Sequence, residues 1–241
     1  NNKLMGVGYY RPFIGNGQGS LKPISGKIKT STWSGLAVPD LPGPRASLTD
    51  VITLSGGRAL AVGTRLQNGR LQATAMVHNG KKWFRSDPWR GNGSGLLGVN
   101  RAGSNGRIWA VGWKDSIPGR PRPYLVKRVS GKWKAIKLRG IPAGDGALTD
   151  VHYRGANNGV AVGYLAEVGT DKHHVFALKW NGKAWNKINL PWSKDFAALP
   201  RSVSLGQDGT VWIAGTKTAN DSREPRGFIA NGKGETWRRS E

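Results

Sequence analysis

Between Ser47 and Asp87 the chain reads as four short runs, SLTDVITL, RALAVGTRL, LQATAMVHNG and KKWFRSD. Ser-Gly-Gly, Gln-Asn-Gly-Arg and Asn-Gly mark the breaks between them. Within the runs, apolar and polar positions alternate or form short apolar stretches rich in Val, Ile, Leu and Thr, and no run sustains a helical stripe. That pattern predicts four β-strands in succession, joined by tight turns.

The same pattern returns along the whole chain. Trp33, Trp83, Trp133, Trp185 and Trp237 recur at intervals of 50, 50, 52 and 52 residues. A small apolar run closing on glycine recurs as MGVG, LAVG, WAVG, VAVG and WIAG, ending at Gly8, Gly63, Gly112, Gly163 and Gly215. A third marker ends at Val51, Val99, Val151 and Val203. Three markers in one order and one period define units at roughly 1–45, 46–94, 95–145, 146–196 and 197–241. Four short strands per unit of about 50 residues predict an all-β, five-bladed β-propeller with four-stranded blades, folded as a single domain. The Asn-Gly-Lys motif is then the turn between third and fourth strands. The Trp that follows opens the outermost strand and is expected to be largely buried as a wedge between neighbouring units. In the first unit Gly8 arrives too early for a preceding inner strand, so either the sequence is a fragment of a longer chain or that blade has three strands.

The run AVG, a turn, then Gly-Lys-X-Trp resembles the repeats of bacterial propellers of the Asp-box and kelch-like kind. ANGKGETW, from Ala230 to Trp237, keeps only the Gly, Thr and Trp of the Asp-box turn Ser-X-Asp-X-Gly-X-Thr-Trp. In that family the turn is a structural element, so the resemblance implies a fold and no activity.

Composition narrows the partners. Among 241 residues there are 37 Lys and Arg against 14 Asp and Glu, a formal charge of +23, and no Cys. Such a surface attracts polyanions, among them acidic glycans, cell-envelope polymers and, non-specifically, nucleic acid. The absence of Cys excludes disulfides, thiolate metal sites and cysteine nucleophiles. No apolar run approaches the length of a membrane-spanning helix. No signal peptide is visible in the chain, and a secreted, extracellular, monomeric protein is expected.

Long connections are where a repeat scaffold carries its binding residues. Tyr9, Trp113 and Tyr164 each follow a marker glycine, and Trp89 and Trp192 lie in connections between units. Arg11, Arg90, Lys114, Arg120, Arg122 and Lys194 stand beside them. Aromatic faces next to cations suit a sugar ring bearing acidic groups; the competing role for the same rings is packing at sheet edges. The segment Gly119–Gly140 carries eight Lys and Arg and no acid, the composition of an anion-binding or simply solvated face.

Candidate catalytic groups are few. Asp50 and Asp150 hold matching places on the predicted innermost strands, where two carboxylates across a funnel could act as acid and base on a glycosidic bond. The competing role is hydrogen bonding at strand entry. Five-bladed glycosidases of similar architecture use three carboxylates including a Glu, and the matching positions here are Gly98 and Ser202. His173 and His174 would point to opposite sides of a strand, a poor chelate, and no GxSxG elbow is present, so neither a metal nor a cofactor is expected. The sequence therefore favours a non-catalytic, lectin-like binding module. A glycan hydrolase or lyase using Asp50 and Asp150, and a basic scaffold for nucleic acid or protein, stand as alternatives.

Overall fold

The computed structural model describes residues 4–10, 22–29, 32–36, 46–88, 93–102, 107–142, 144–170, 172–193, 197–218 and 224–239, with side-chain environments from Ala46 onward. Every described sheet is an antiparallel meander in chain order. Strands β1 (Leu4–Tyr10), β2 (Lys22–Lys29) and β3 (Thr32–Leu36) form a three-stranded sheet. Four four-stranded sheets follow. The second sheet holds β4 (Ala46–Leu54), β5 (Arg58–Gln67), β6 (Arg70–His78) and β7 (Trp83–Arg85); the third holds β8 (Ser94–Ala102), β9 (Arg107–Asp115), β10 (Pro121–Val129) and β11 (Lys132–Ala135). The fourth is β12 (Gly146–Tyr153), β13 (Gly159–Ala166), β14 (His173–Trp180) and β15 (Trp185–Ile188). The fifth is β16 (Ala197–Leu205), β17 (Val211–Thr218), β18 (Pro225–Lys233) and β19 (Thr236–Arg239).

Successive sheets pack through their first strands, β1 against β4, β4 against β8, β8 against β12 and β12 against β16. The apolar core lies in layers between sheets. Leu60, Val62 and Ala75 meet Leu96, Val99 and Ile108 in one layer. Trp109 and Leu125 meet Tyr153, Phe176 and Trp185 in the next, and Val160, Val162 and Trp192 meet Val203, Ile213 and Phe228 in the last. A sheet with both faces apolar cannot cover itself, which is why the units stack.

The marker glycine has a local cause. Opposite it, each inner strand carries a bulge, between Leu48 and Asp50, Leu96 and Gly98, Leu148 and Asp150, and Pro200 and Ser202. The extra residue drives the inner backbone against the second strand. A Cβ at Gly63, Gly112, Gly163 or Gly215 would overlap the carbonyl oxygen of Ser47, Gly95, Ala147 or Leu199. The Asn-Gly-Lys turns close on the opposite end of the sheets. Asn79 Oδ1 accepts from the N–H groups of Lys81 and Lys82, and Asn181 Oδ1 from those of Lys183 and Ala184, while Gly80 and Gly182 supply the positive φ.

The repeated Trp wedges between sheets, though not uniformly. Trp83 and Trp185 are buried at 2% and 3% exposure, and Trp185 meets Trp109 of the preceding sheet edge-on at 5.7 Å. Trp133 and Trp237 are only half-buried, which corrects the expectation of equal burial. Trp133 stays at the rim because its Nε1 donates to the Ser86 carbonyl at 2.8 Å and the Arg128 guanidinium lies over its ring.

Candidate functional site

Asp50 and Asp150 sit directly after the bulged residue of β4 and β12, and the bulge turns each carboxylate along its own strand toward the next sheet. Asp50 Oδ1 accepts from Val51 N at 2.7 Å, and its Oδ2 accepts from Val99 N of β8 at 2.7 Å. Asp150 Oδ1 accepts from Val151 N, and its Oδ2 accepts from Val203 N of β16 at 2.8 Å and from the Ser202 hydroxyl at 3.1 Å. Neighbouring positions do the same work. Asn100 Oδ1 accepts from Tyr153 N, His152 Nδ1 from Leu205 N, and the Thr49 hydroxyl donates to the Leu96 carbonyl. The carboxylates are therefore inter-sheet latches. Gly98 lacks a side chain because a Cβ there would press on Asp150 Cα at 2.9 Å.

The latches carry unusual protonation. Burial raises the Asp50 carboxyl from 3.8 to about 6 despite its two backbone N–H donors, and the nearby Asp150 charge adds to the rise. Asp150 is also raised, chiefly by burial, with the N–H groups of Val203 and Val151, the Ser202 hydroxyl and His152 pulling the other way.

A separate cleft opens at the end of the sheets away from the Asn-Gly-Lys turns. It encloses about 440 Å³ between Trp113, Tyr164, Arg70, Leu71, Asp115 and the turn Pro118–Pro121. Trp113 and Tyr164 reach it because each follows a marker glycine, at the point where the second strand leaves the bulge. Trp113 stands over Gly95, where a Cβ would meet its Nε1 at 2.6 Å. Tyr164 is met edge-on by the His173 ring at 4.9 Å. Burial raises the Tyr164 phenol and the Arg201 charge draws it back down. Asp115 Oδ2 accepts from Gly119 N at 3.2 Å and so shapes the rim.

Of the cations expected to contact an anion, Arg120 pairs with Asp145 at 2.7 Å, and Arg122 donates from a terminal nitrogen to the Gly144 carbonyl. They tie the β9–β10 turn and the start of β10 to the segment entering β12. Lys114 is half-buried on β9, in register with Arg122 and Ser94. Trp192 has no stacking face to offer. It is 5% exposed and packs on Phe228 at 5.9 Å and Trp237 at 6.3 Å, because the connection carrying it folds into the layer between the fourth and fifth sheets. Arg11, Trp89, Arg90 and Lys194 lie outside the described residues, as does the side chain of Tyr9. His174 turns away from His173, with Nδ1 against the Ser193 carbonyl and Nε2 3.4 Å from Glu167.

Sequence reasoning missed Arg70 and Asp115 as cleft residues, since an isolated charge beside a turn carries no signal. It also missed a buried ion pair at the edge of β5 and β6, where Asp87 accepts from Arg65 at 3.1 Å and from the Thr74 hydroxyl at 2.8 Å.

No family model matches the chain, and no curated protein matches it. Solved structures share its fold at 10–14% identity. One is a PL25 polysaccharide lyase, an ulvan lyase bound to -[GlcA(1-4)Rha3S]-, with TM-score 0.61 over 90% of this chain and 65% of that one, at 12% identity. Another is the Penicillium chrysogenum α-L-arabinanase complexed with arabinobiose, with TM-score 0.55 over 83% and 67% at 14% identity. A third is an α-L-arabinofuranosidase from Fusarium graminearum, with TM-score 0.53 over 79% and 64% at 10% identity. The chain thus spans about 65% of the length of the ulvan lyase. The expectation of a non-catalytic, lectin-like module is corrected by this finding, since the neighbours are catalysts acting on glycans. Among the described residues, no helix is long and apolar enough to cross a membrane.

Proposed function

We propose that the protein is a glycan-cleaving enzyme, a lyase or hydrolase, built on a secreted, single-domain, five-bladed propeller. The observation that carries the reading is the cleft where Trp113 and Tyr164 from neighbouring sheets face one space beside Arg70. Two aromatic faces and a cation suit a sugar ring bearing a carboxylate or sulfate. The +23 charge favours an acidic polysaccharide over a neutral one. Lys114, Arg120 and Arg122 would line the approach, with Arg120 exchanging Asp145 for the incoming anion.

Elimination fits the cleft better than hydrolysis. It removes the proton beside a uronate carboxyl, forms a carbon–carbon double bond, and expels the linked sugar oxygen, which takes up a proton. The reaction needs a proton-handling group and a cation to hold charge on the carboxylate. Tyr164, whose phenol burial holds above its ordinary value and so protonated, supplies a proton for the expelled sugar oxygen, and Arg70 supplies the cation.

Hydrolysis has one observation of its own. Asp50, raised to about 6, has the protonation a general acid needs, but hydrolysis would require it and Asp150 to leave the backbone N–H groups that hold them. Incubation with ulvan separates the chemistries. Elimination yields unsaturated, ultraviolet-absorbing ends that Tyr164→Phe abolishes; hydrolysis yields reducing ends without that absorbance, lost in Asp50→Asn. A folded protein that releases neither from ulvan nor from arabinan contradicts the proposal.

A further inference from the structure

The basic run that the cleft does not use has its own geometry. Lys127 of β10 lies in register with Trp109 of β9 on one side and Lys134 of β11 on the other. Val129 faces Lys132 in the next row, and Arg107 opens β9 two residues before Trp109. Residues two apart on a strand share a face, so Arg107, Lys127, Lys132 and Lys134 stand on one face of the third sheet. Rows about 5 Å apart across strands and about 7 Å along them hold the four charges close together. Lys132 and Lys134 are exposed, and Val129 among them is 46% exposed. The Lys127 ammonium lies 5.4 Å from the centre of the Trp109 ring. Among the described residues no carboxylate forms an ion pair with any of the four. Burial and the charges of Arg107 and Lys134 lower the Lys127 pKa, which agrees with their crowding.

Four cations at sheet spacing without a counter-charge repel one another, and an anion relieves that repulsion. We propose that Arg107, Lys127, Lys132 and Lys134 form a second binding site, which holds the acidic polysaccharide chain outside the cleft. This rests on the glycan-cleaving reading for the identity of its occupant. Polysaccharide is favoured over nucleic acid because no aromatic platform accompanies the charges. Trp109 is 1% exposed and covered by Lys127, so no base can stack there. The site also shares a strand with the cleft. Lys127 lies six positions along β10 from Pro121 at the cleft rim, about 20 Å of strand, a span that a polymer covers and a short fragment does not.

The test compares Lys132→Gln/Lys134→Gln with Lys183→Gln/Lys187→Gln, an equal loss of charge at exposed positions in and before β15. Binding to ulvan, to a short ulvan fragment and to single-stranded DNA is measured across salt concentrations. The first variant should bind the polymer at least about tenfold more weakly, with a salt slope shallower by about two contacts' worth. Its affinity for the short fragment should match wild type, and the second variant should match wild type throughout. Equal loss in both variants, or none in either, overturns the site in favour of diffuse charge. Equal loss of DNA and ulvan binding in the first variant overturns the choice of polysaccharide. If no polymer is cleaved but the first variant alone loses ulvan, the second site stands and the enzyme reading falls.

Discussion

Two pairs of residues occupy repeated positions a few residues apart, and the fold uses them differently. Asp50 and Asp150 stand just past the bulges of β4 and β12, where the inner backbones of successive sheets run close together. Trp113 and Tyr164 stand just past the glycines opposite the bulges of β8 and β12, where the second strands turn toward the open end. At the first place, N–H groups of the next sheet lie within 2.7–2.8 Å, so a carboxylate is drawn into structure. At the second, Trp113 and Tyr164 line the open cleft instead. The same repeat thus makes latches at its middle and an open cleft at its end.

The comparison breaks first at the core that supports both places. Trp185→Ala removes a buried indole from the layer between the third and fourth sheets and should cost about 3–5 kcal/mol by denaturant unfolding. Trp133→Ala, at a half-buried rim, should cost less. Equal losses would mean that the two wedges are equivalent after all.

The latches come next. Asp150→Ala leaves the N–H groups of Val203 and Val151 without their acceptor and should cost about 2–3 kcal/mol. The Trp113→Ala protein should lose less than that. The reverse order would identify Trp113 as the structural residue and Asp150 as the spare one.

Protonation sharpens the same contrast. The folded Asp50 pKa is raised to about 6, so between about pH 4 and pH 6 the folded state holds more protons than the unfolded one. Stability therefore falls as pH rises through that window and levels off above it, by on the order of 1–3 kcal/mol from Asp50. Asp50→Asn should flatten this segment of the curve. An unchanged profile in the variant would show that the carboxyl does not titrate there.

The sequence made the sheets legible because alternation, turn chemistry and a spacing of 50–52 residues all repeat. The Asn-Gly-Lys turns and the marker glycines could be read for the same reason. The bulges could not, since Thr49 and Thr149 match but Leu97 and Arg201 at the other two bulges do not, and only the glycines opposite hint at them. At the site, Trp113 and Tyr164 were visible by position, whereas Arg70 and Asp115 join them only through tertiary packing. Trp192 looked equivalent in sequence and is not, because its connection folds inward and buries it. The role of Asp50 and Asp150 turned on a neighbour that linear order hides, the backbone of the next sheet.

The most direct test of the account is the rate of ulvan cleavage by the wild-type protein and by Tyr164→Phe, followed by ultraviolet absorbance of unsaturated ends. The account predicts measurable release by the wild type and a fall of about 10²–10⁴-fold in the variant, the range for loss of a proton-handling side chain, with little change in stability. Cleavage that continues unchanged in Tyr164→Phe would contradict it.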